Sequence, residues 1–285
     1  MVTAWLGIKC AAAVLWIAEH VNATALSLHV VSWQGLLAIV IGYLAYQRTS
    51  HQRVMWGVGT MLCCILLSTE AAQMLRPWPL QDWNVVACDV GQGDATVIKT
   101  SRDSAIVVDA GADELLVDSC LTQLGVAHIN VFVASHLHAD HIGGLRGVLH
   151  DRVVDSLLLP PQVQPAAGFA LVNAFKIPVT TARVGQVLTY GNVALHVLQV
   201  GPAISNPDDG TDINNSSVVL LAILNKRNLL LTGDIEESSQ QTLLNSVSSL
   251  RVDLVKIPHH GSRYQWSDFA HLLHPSLAWA SVGAD

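Results

Sequence analysis

Four side chains able to bind a metal fall within six positions, at His136, His138, Asp140 and His141 in "SHLHADHIGG". The apolar run "INVFVA" (129–134) leads directly into them. On extended backbone, residues two apart face the same way, so the His136 and His138 imidazoles can converge on one cation. Asp140 and His141 follow as the chain turns towards a helix, where they can face a second cation. Imidazole and carboxylate together suit borderline metals such as zinc. The alternative for this stretch is a solvated, histidine-rich loop.

Two later strand ends carry the same residue types. "LLLTGDIEE" leaves Asp234 after a very apolar strand, and "LVKIPHHGS" leaves His259 and His260 before a glycine. Either alone reads equally well as structure, Asp234 as a helix cap. Together with the first motif they place acid or imidazole repeatedly where strands end, as in a site built at one rim of a sheet.

The elements that position these groups are short. Strands are expected over 84–90, 95–100, 104–111, 129–136, 153–160, 175–182, 193–200, 217–224, 228–234 and 252–258. "GQGD" joins the first two, and helices are expected over 113–125, from "HIGGLRGVLH", and over 238–250. Many strands with helices between them indicate an α/β sandwich with helices outside the sheets. Cys88 and Cys120 fall on a strand and a helix; no disulfide framework is evident, and their spacing does not pair them.

Of the 285 residues, 51% are hydrophobic and 13% charged, an apolar balance concentrated before Trp83. Residues 1–76 read as a membrane segment, with spans near 30–47 and 54–72, each close to the length that crosses a bilayer. Buried core helices are the alternative. Arg48 and Arg53 lie between the spans, and short positive loops stay cytoplasmic. That places residues 77–285 on the external or periplasmic face of a bacterial inner membrane, although Arg76 weakens the count. "RPWPLQDW" (76–83) reads as the linker. The net charge of −7 supplies no general attraction to nucleic acid, while leaving room for a local basic groove.

"SHLHADHIGG", "LLLTGDIEE" and "VKIPHHGS", in that order, resemble the metallo-β-lactamase superfamily. "DVGQGDA" (89–95), "VVDAG" (107–111) and "NNSSVVL" (214–220) narrow the resemblance to the C-terminal domain of the ComEC family of bacterial DNA-uptake proteins. The resemblance covers about residues 83–285 and implies a metallo-β-lactamase-like αββα sandwich preceded by transmembrane helices, truncated at its C-terminus. It implies one or two divalent ions, zinc or manganese. His136 and His138 would hold the first, Asp140, His141 and His260 the second, and Asp234 would bridge them. Asp109 would orient a ligand imidazole. Asp89 and Asp94 would shape the turn near the site, with Gly91 and Gly93 permitting it; a plain hairpin turn is the alternative. Asp140 and His259 are the expected catalytic groups, His259 touching either a substrate phosphate or metal. Lys256 and Arg263 are weaker candidates for steadying phosphates, and each also reads as a solvated surface charge.

The superfamily carries a further histidine between the first motif and the bridging aspartate. Here His150 and His196 read as structural, while Asn214 and Ser217 occupy the equivalent region, which implies a weakly held first metal. The activity implied is a metal-dependent phosphodiesterase or nuclease that degrades the DNA strand not imported. Single-stranded DNA, the membrane and other uptake components, including the missing channel portion, are the expected partners. The competing expectations are a hydrolase of small phosphodiesters or lactam-type amides, and a catalytically inactive DNA-guiding module.

Overall fold

The computed structural model describes residues 79, 82–206, 208–247 and 250–283, which belong to a compact unit running from Pro79 to Asp285. The two expected membrane spans lie outside these residues. No helix among the described residues is long and apolar enough to cross a membrane.

The first sheet takes the order β1(Val85–Ala87), β2(Thr96–Lys99), β3(Ser104–Val108), β4(His128–Val133), β6(Leu157–Leu159), β7(Val179–Thr181), with β5(Val153–Val154) also on β4. β1, β2 and β3 pair antiparallel, and β3, β4, β6 and β7 parallel. Parallel pairing requires crossovers. α1(Glu114–Gln123) supplies the first, capped by Asp113, whose carboxylate accepts from the Leu115 and Leu116 amides. It stops before Gly125, which sits at φ 70. The helix expected from "HIGGLRGVLH" breaks at Gly143–Gly144 into α2(Ala139–Ile142) and α3(Leu145–Leu149).

The second sheet runs β13(Leu277–Trp279), β12(Leu254–Lys256), β11(Arg227–Leu231), β10(Val219–Leu224), β9(Val193–Gln199), β8(Val187–Tyr190). Its β8–β11 half is antiparallel, and β11, β12 and β13 are parallel. In β9, Val193, Leu195 and Val197 are buried while the residues between them are half-buried, the two-residue period of a strand in a packed sheet.

Three cores give the layering. Ile106, Val131, Val133 and Leu158 of the first sheet meet Leu195, Leu220, Leu229 and Leu231 of the second. Val107 and Phe132, on the first sheet's outer face, pack with Val117 and Leu121 of α1 and Leu145 and Val148 of α3. Leu230 and Val255, on the second sheet's outer face, pack with Leu243 of α6(Glu237–Ser246) and Phe269 and Leu273 of α7(Phe269–Leu273). The expected αββα sandwich is therefore present. β4 is apolar on both faces, and burying each such side chain contributes about 1.5–3 kcal/mol. That anchors the strand end from which the histidines emerge.

Several elements escape the sequence reading: β8, β13, α4(Ala166–Asn173), α5(Gly210–Asn215) and α7. Cys88 and Cys120, left unpaired by the sequence, form a disulfide between the β1–β2 loop and α1. Both are buried in the outer core beside Val117 and Leu121.

Candidate metal centre

The C-terminal ends of β4, β11 and β12 meet at one edge of the sandwich. Backbone bonds knit them there: Val218 N–H donates to Ser135 O over 2.8 Å, Asp109 N–H to Val133 O over 2.9 Å and His259 N–H to Gly233 O over 3.3 Å. Asp109, His259 and His260 adopt left-handed backbone, with φ 61, 47 and 55. Such residues cost about 1–3 kcal/mol each and cluster where a site demands a particular side-chain direction.

The Nδ1 atoms of His141 and His260 are already engaged. His141 Nδ1 donates to Asp109 Oδ2 over 3.0 Å, and His260 Nδ1 to the Ser281 carbonyl over 3.0 Å. Asp109 is itself pinned, accepting from Ser135 N–H at 2.7 Å and Ser135 Oγ at 2.8 Å. Partners at Nδ1 leave each lone pair on Nε2. Both Nε2 atoms are buried and make no aligned hydrogen bond. Around them stand Asp234 Oδ2, at 3.1 Å from His141 and 3.3 Å from His260, and Asp140 Oδ2, at 3.9 and 3.5 Å. Four donors bound tetrahedrally at about 2.0 Å are about 3.3 Å apart, so these spacings suit a single cation.

The charges agree. Burial would push the His141 imidazole down, but Asp234 and Asp109 carry it well above its usual value. Burial would likewise lower His260, yet Asp140 and Asp234 bring it up to about 9. Burial raises and its neighbours lower Asp234, and His141 and Lys256 win, holding it well below the carboxylate range. Asp140 is also held low, by His260 and His141 against burial. The pocket thus carries excess negative charge that draws either protons or a metal ion. Its imidazole and carboxylate donors fit a divalent one.

Asp94 lies deeper in the site than a turn-shaping role requires. Gly93, at φ 124, lets the loop press against Asp140, whose carbonyl an added Cβ would strike. Asp94 N–H donates to that carbonyl over 3.2 Å. Its carboxylate then sits 3.7 Å from His260 Nδ1 and 3.8 Å from His141 Nδ1. One ligand atom each from Asp94, His141, Asp234 and His260 falls within 4.8 Å of the others. Because the Nδ1 atoms are engaged elsewhere, Asp94 backs the pocket while Asp140 and Asp234 face its lone pairs. Asp89 remains exposed and only accepts from the Gly91 amide, over 3.4 Å.

Lys256 corrects the sequence reading. It is neither a solvated charge nor a free phosphate contact: it is 2% exposed, ion-paired with Asp94, and donates to Gly233 O at 2.9 Å and Asp234 Oδ1 at 3.2 Å. Burial opposes its charge, but Asp94 and Asp234 raise its pKa above the usual value. The signal was its strand: Val255 and Lys256 are both buried at the end of β12. Arg263 is exposed and donates to the Tyr264 hydroxyl over 3.1 Å.

His259 stands apart from the donor cluster. Its Nδ1 is 3.3 Å from Glu236 Oε1, and its ring centroid lies 6.2 Å from that of His260. Glu236, which sequence reasoning missed, is buried and also accepts from Asn214 Nδ2 over 3.0 Å. It lines, with Glu237, Asn215 and Tyr264, a pocket of about 340 Å³. His136 and His138 stay together, His136 Nε2 lying 3.1 Å from His138 Nδ1. Burial holds both imidazoles below their usual pKa. His150 pairs with Asp118 at 3.1 Å, and His196 lies within β9 opposite Leu221, as structural residues do.

ComE operon protein 3 of Bacillus subtilis (strain 168) is 24% identical over 271 residues, covering 87% of this chain and 34% of that protein. Recombination protein 2 of Haemophilus influenzae is 25% identical over 248 residues, covering 84% and 28%. The chain thus spans about a third of the length of these curated relatives. A solved metallo-β-lactamase of Cronobacter sakazakii with a HARLDQ motif aligns at 17% identity and a TM-score of 0.48, over 69% of this chain and 91% of that one. These ComEC-family homologues extend the resemblance beyond single motifs. The Metallo-beta-lactamase superfamily pattern matches residues 88–283, more than half of the chain, and the chain belongs to that superfamily.

Proposed function

We propose that this chain is a metal-dependent phosphodiesterase acting on DNA, the strand-degrading part of a DNA-uptake system. The observation that carries the reading is the convergence of His141 Nε2 and His260 Nε2 on the Asp234 and Asp140 carboxylates. His141, His260, Asp234 and Asp140 would hold a divalent ion, which would supply Lewis acidity to a phosphodiester and to water. The chain's own residues do the rest. Asp109 fixes the His141 ring, Lys256 holds the far oxygen of Asp234, and Asp94 backs them both. His259, whose Nδ1 lies 3.3 Å from Glu236 Oε1, is the group we assign to protonate the leaving oxygen. The resemblance to the ComEC family supports DNA as the substrate and other uptake components as the partners in this reading.

Residues 1–76 anchor the chain in the bacterial inner membrane, with the catalytic unit on its external face. The Cys88–Cys120 disulfide supports that side, because disulfides persist in oxidising compartments.

One observation favours a second reading. Glu236 and Glu237 make the neighbouring pocket acidic, and Tyr264 adds an aromatic wall. That combination suits a cationic headgroup better than a second phosphate, as in a phosphocholine-like ester. The full chain, stripped of metal and resupplied with manganese or zinc, is to be assayed on end-labelled single-stranded DNA and on a choline phosphodiester. Ion-dependent DNA cleavage that disappears in Asp234→Asn supports the first reading. Cleavage of the choline ester alone supports the second, and no cleavage with either ion refutes both.

A further inference from the structure

The metal donors leave the neighbouring pocket of about 340 Å³ without a role. Its volume lies at the lower end of the range for small-molecule sites and suits one monomer-sized group. Two contacts join it to the metal centre. Glu236 Oε1 is 3.3 Å from His259 Nδ1, and the Tyr264 ring lies 16° from parallel to that of His259, with centroids 6.2 Å apart.

The polar groups of the pocket define what fits. Glu236 N–H donates to Asn215 Oδ1 over 2.9 Å, which identifies the oxygen of that amide and leaves Nδ2 as a donor. Asn215 is only 7% exposed and lines the pocket, and its Nδ2 has no partner among the described residues. Glu236 Oε1 accepts from Asn214 Nδ2 and faces His259, whereas Oε2 meets neither. Gln241 Nε2 donates to Glu237 Oε1 over 3.3 Å and leaves the other Glu237 oxygen open. The pocket therefore presents one unpaired amide donor together with two carboxylate acceptors.

The carboxylates repel a phosphate. A quaternary ammonium would meet them but leave Asn215 Nδ2 idle. Cages for such groups surround them with aromatic rings, and Tyr264 is the only aromatic among the described lining residues. A nucleobase satisfies both kinds of group. An exocyclic amine offers two N–H groups to the carboxylates, and cytosine, adenine and guanine each set a ring-nitrogen acceptor beside that amine. Thymine has no amine and flanks its one N–H with carbonyls, so a carbonyl meets a carboxylate in either placement. Tyr264, 45% exposed, supplies the stacking surface.

We propose that the pocket formed by Asn215, Glu236, Glu237 and Tyr264 is a base subsite. It takes a nucleotide beside the scissile phosphate and selects amine-bearing bases over thymine. The inference rests on the DNA-hydrolase reading above and deepens it, but fails separately from it.

The full chain, loaded with zinc, is titrated calorimetrically with the 5′-monophosphates of deoxycytidine, deoxyadenosine and thymidine, and with choline phosphate. Sugar and phosphate are common to the three nucleotides, so their affinity ratios isolate the base. The cytosine and adenine nucleotides are expected to bind at least about tenfold tighter than the thymine one. Asn215→Asp keeps the oxygen that the Glu236 amide needs but replaces the donor with an acceptor. It should bring those ratios within about threefold while bound zinc is retained. Tyr264→Ala should weaken all three nucleotides alike, by about fivefold or more, because stacking is indifferent to the base. In wild-type digests of mixed-sequence single-stranded DNA, thymine should be depleted at one fixed position beside the cut. Equal affinities with DNA still cleaved overturn the inference and spare the hydrolase reading. So do ratios unmoved in Asn215→Asp, or nucleotide binding unchanged in Tyr264→Ala. Choline phosphate binding tighter than every nucleotide overturns the inference in favour of the choline-ester reading. A chain that neither binds nucleotides nor cuts DNA refutes both the inference and the DNA-hydrolase reading.

Discussion

Replacing Lys256 with methionine removes an ammonium but keeps an unbranched side chain of similar volume. The lysine is 2% exposed and lies between two carboxylates, Asp94 and Asp234, that are 3% and 2% exposed. An exposed ion pair is worth at most about 1 kcal/mol, so a solvated Lys256 predicts almost no effect. Here the substitution strands buried negative charge, and breaking one side of a buried pair costs about 3–5 kcal/mol. Part of that loss should return when a divalent ion occupies the adjoining position, because the ion compensates Asp234. The assay is urea unfolding of wild type and Lys256→Met, each in chelator and in saturating manganese. The expected result is about 3–5 kcal/mol of destabilisation in chelator and a clearly smaller loss with metal. A difference below about 1 kcal/mol in chelator would refute the assignment of Lys256 as the internal counter-ion.

Three further outcomes are expected. Asp109→Asn should weaken ion binding about 10–100-fold while leaving the fold intact, since it loosens His141 without removing a ligand; unchanged affinity in a metal titration contradicts its orienting role. Reducing Cys88–Cys120, or substituting Cys120→Ser, opens a loop with a sequence separation of 32 and should lower unfolding stability by roughly 4 kcal/mol; equal denaturant midpoints would count against it. Ion binding must displace the proton that His260 holds below a pKa of about 9 and the one that His141 holds well above its usual value, so apparent affinity should rise with pH through neutrality. The slope is about tenfold per pH unit for each proton released, and calorimetry in buffers of different ionisation enthalpy counts those protons; affinity independent of pH over the same range opposes the assignment.

Legibility from sequence tracked how local each signal was. α1 was readable because Asp113 and Gly125 mark its ends in the chain itself. The β4 histidines, Asp234 and His260 were readable because each follows an apolar strand, and strand ends share one edge of a sandwich. Lys256 was misjudged because charge suggests solvent, whereas its neighbours in β12 and two distant aspartates determine its burial. The depth of Asp94 depends on how closely Gly93 approaches Asp140, a tertiary contact with no sequence signature. The pairing of Cys88 with Cys120 is likewise set by α1 packing over the first sheet. α5 is too short for a periodic pattern, yet it delivers Asn214 and Asn215 to the site.

The central claim is that side chains from three separated segments grip one divalent cation. Anomalous diffraction from crystals of the full chain, recorded at the manganese or zinc absorption edge, tests it most directly. The account predicts a peak about 2.0–2.2 Å from His141 Nε2, His260 Nε2 and carboxylate oxygens of Asp140 and Asp234. A metal-loaded crystal with no peak there, or with its strongest peak on other residues, would contradict it.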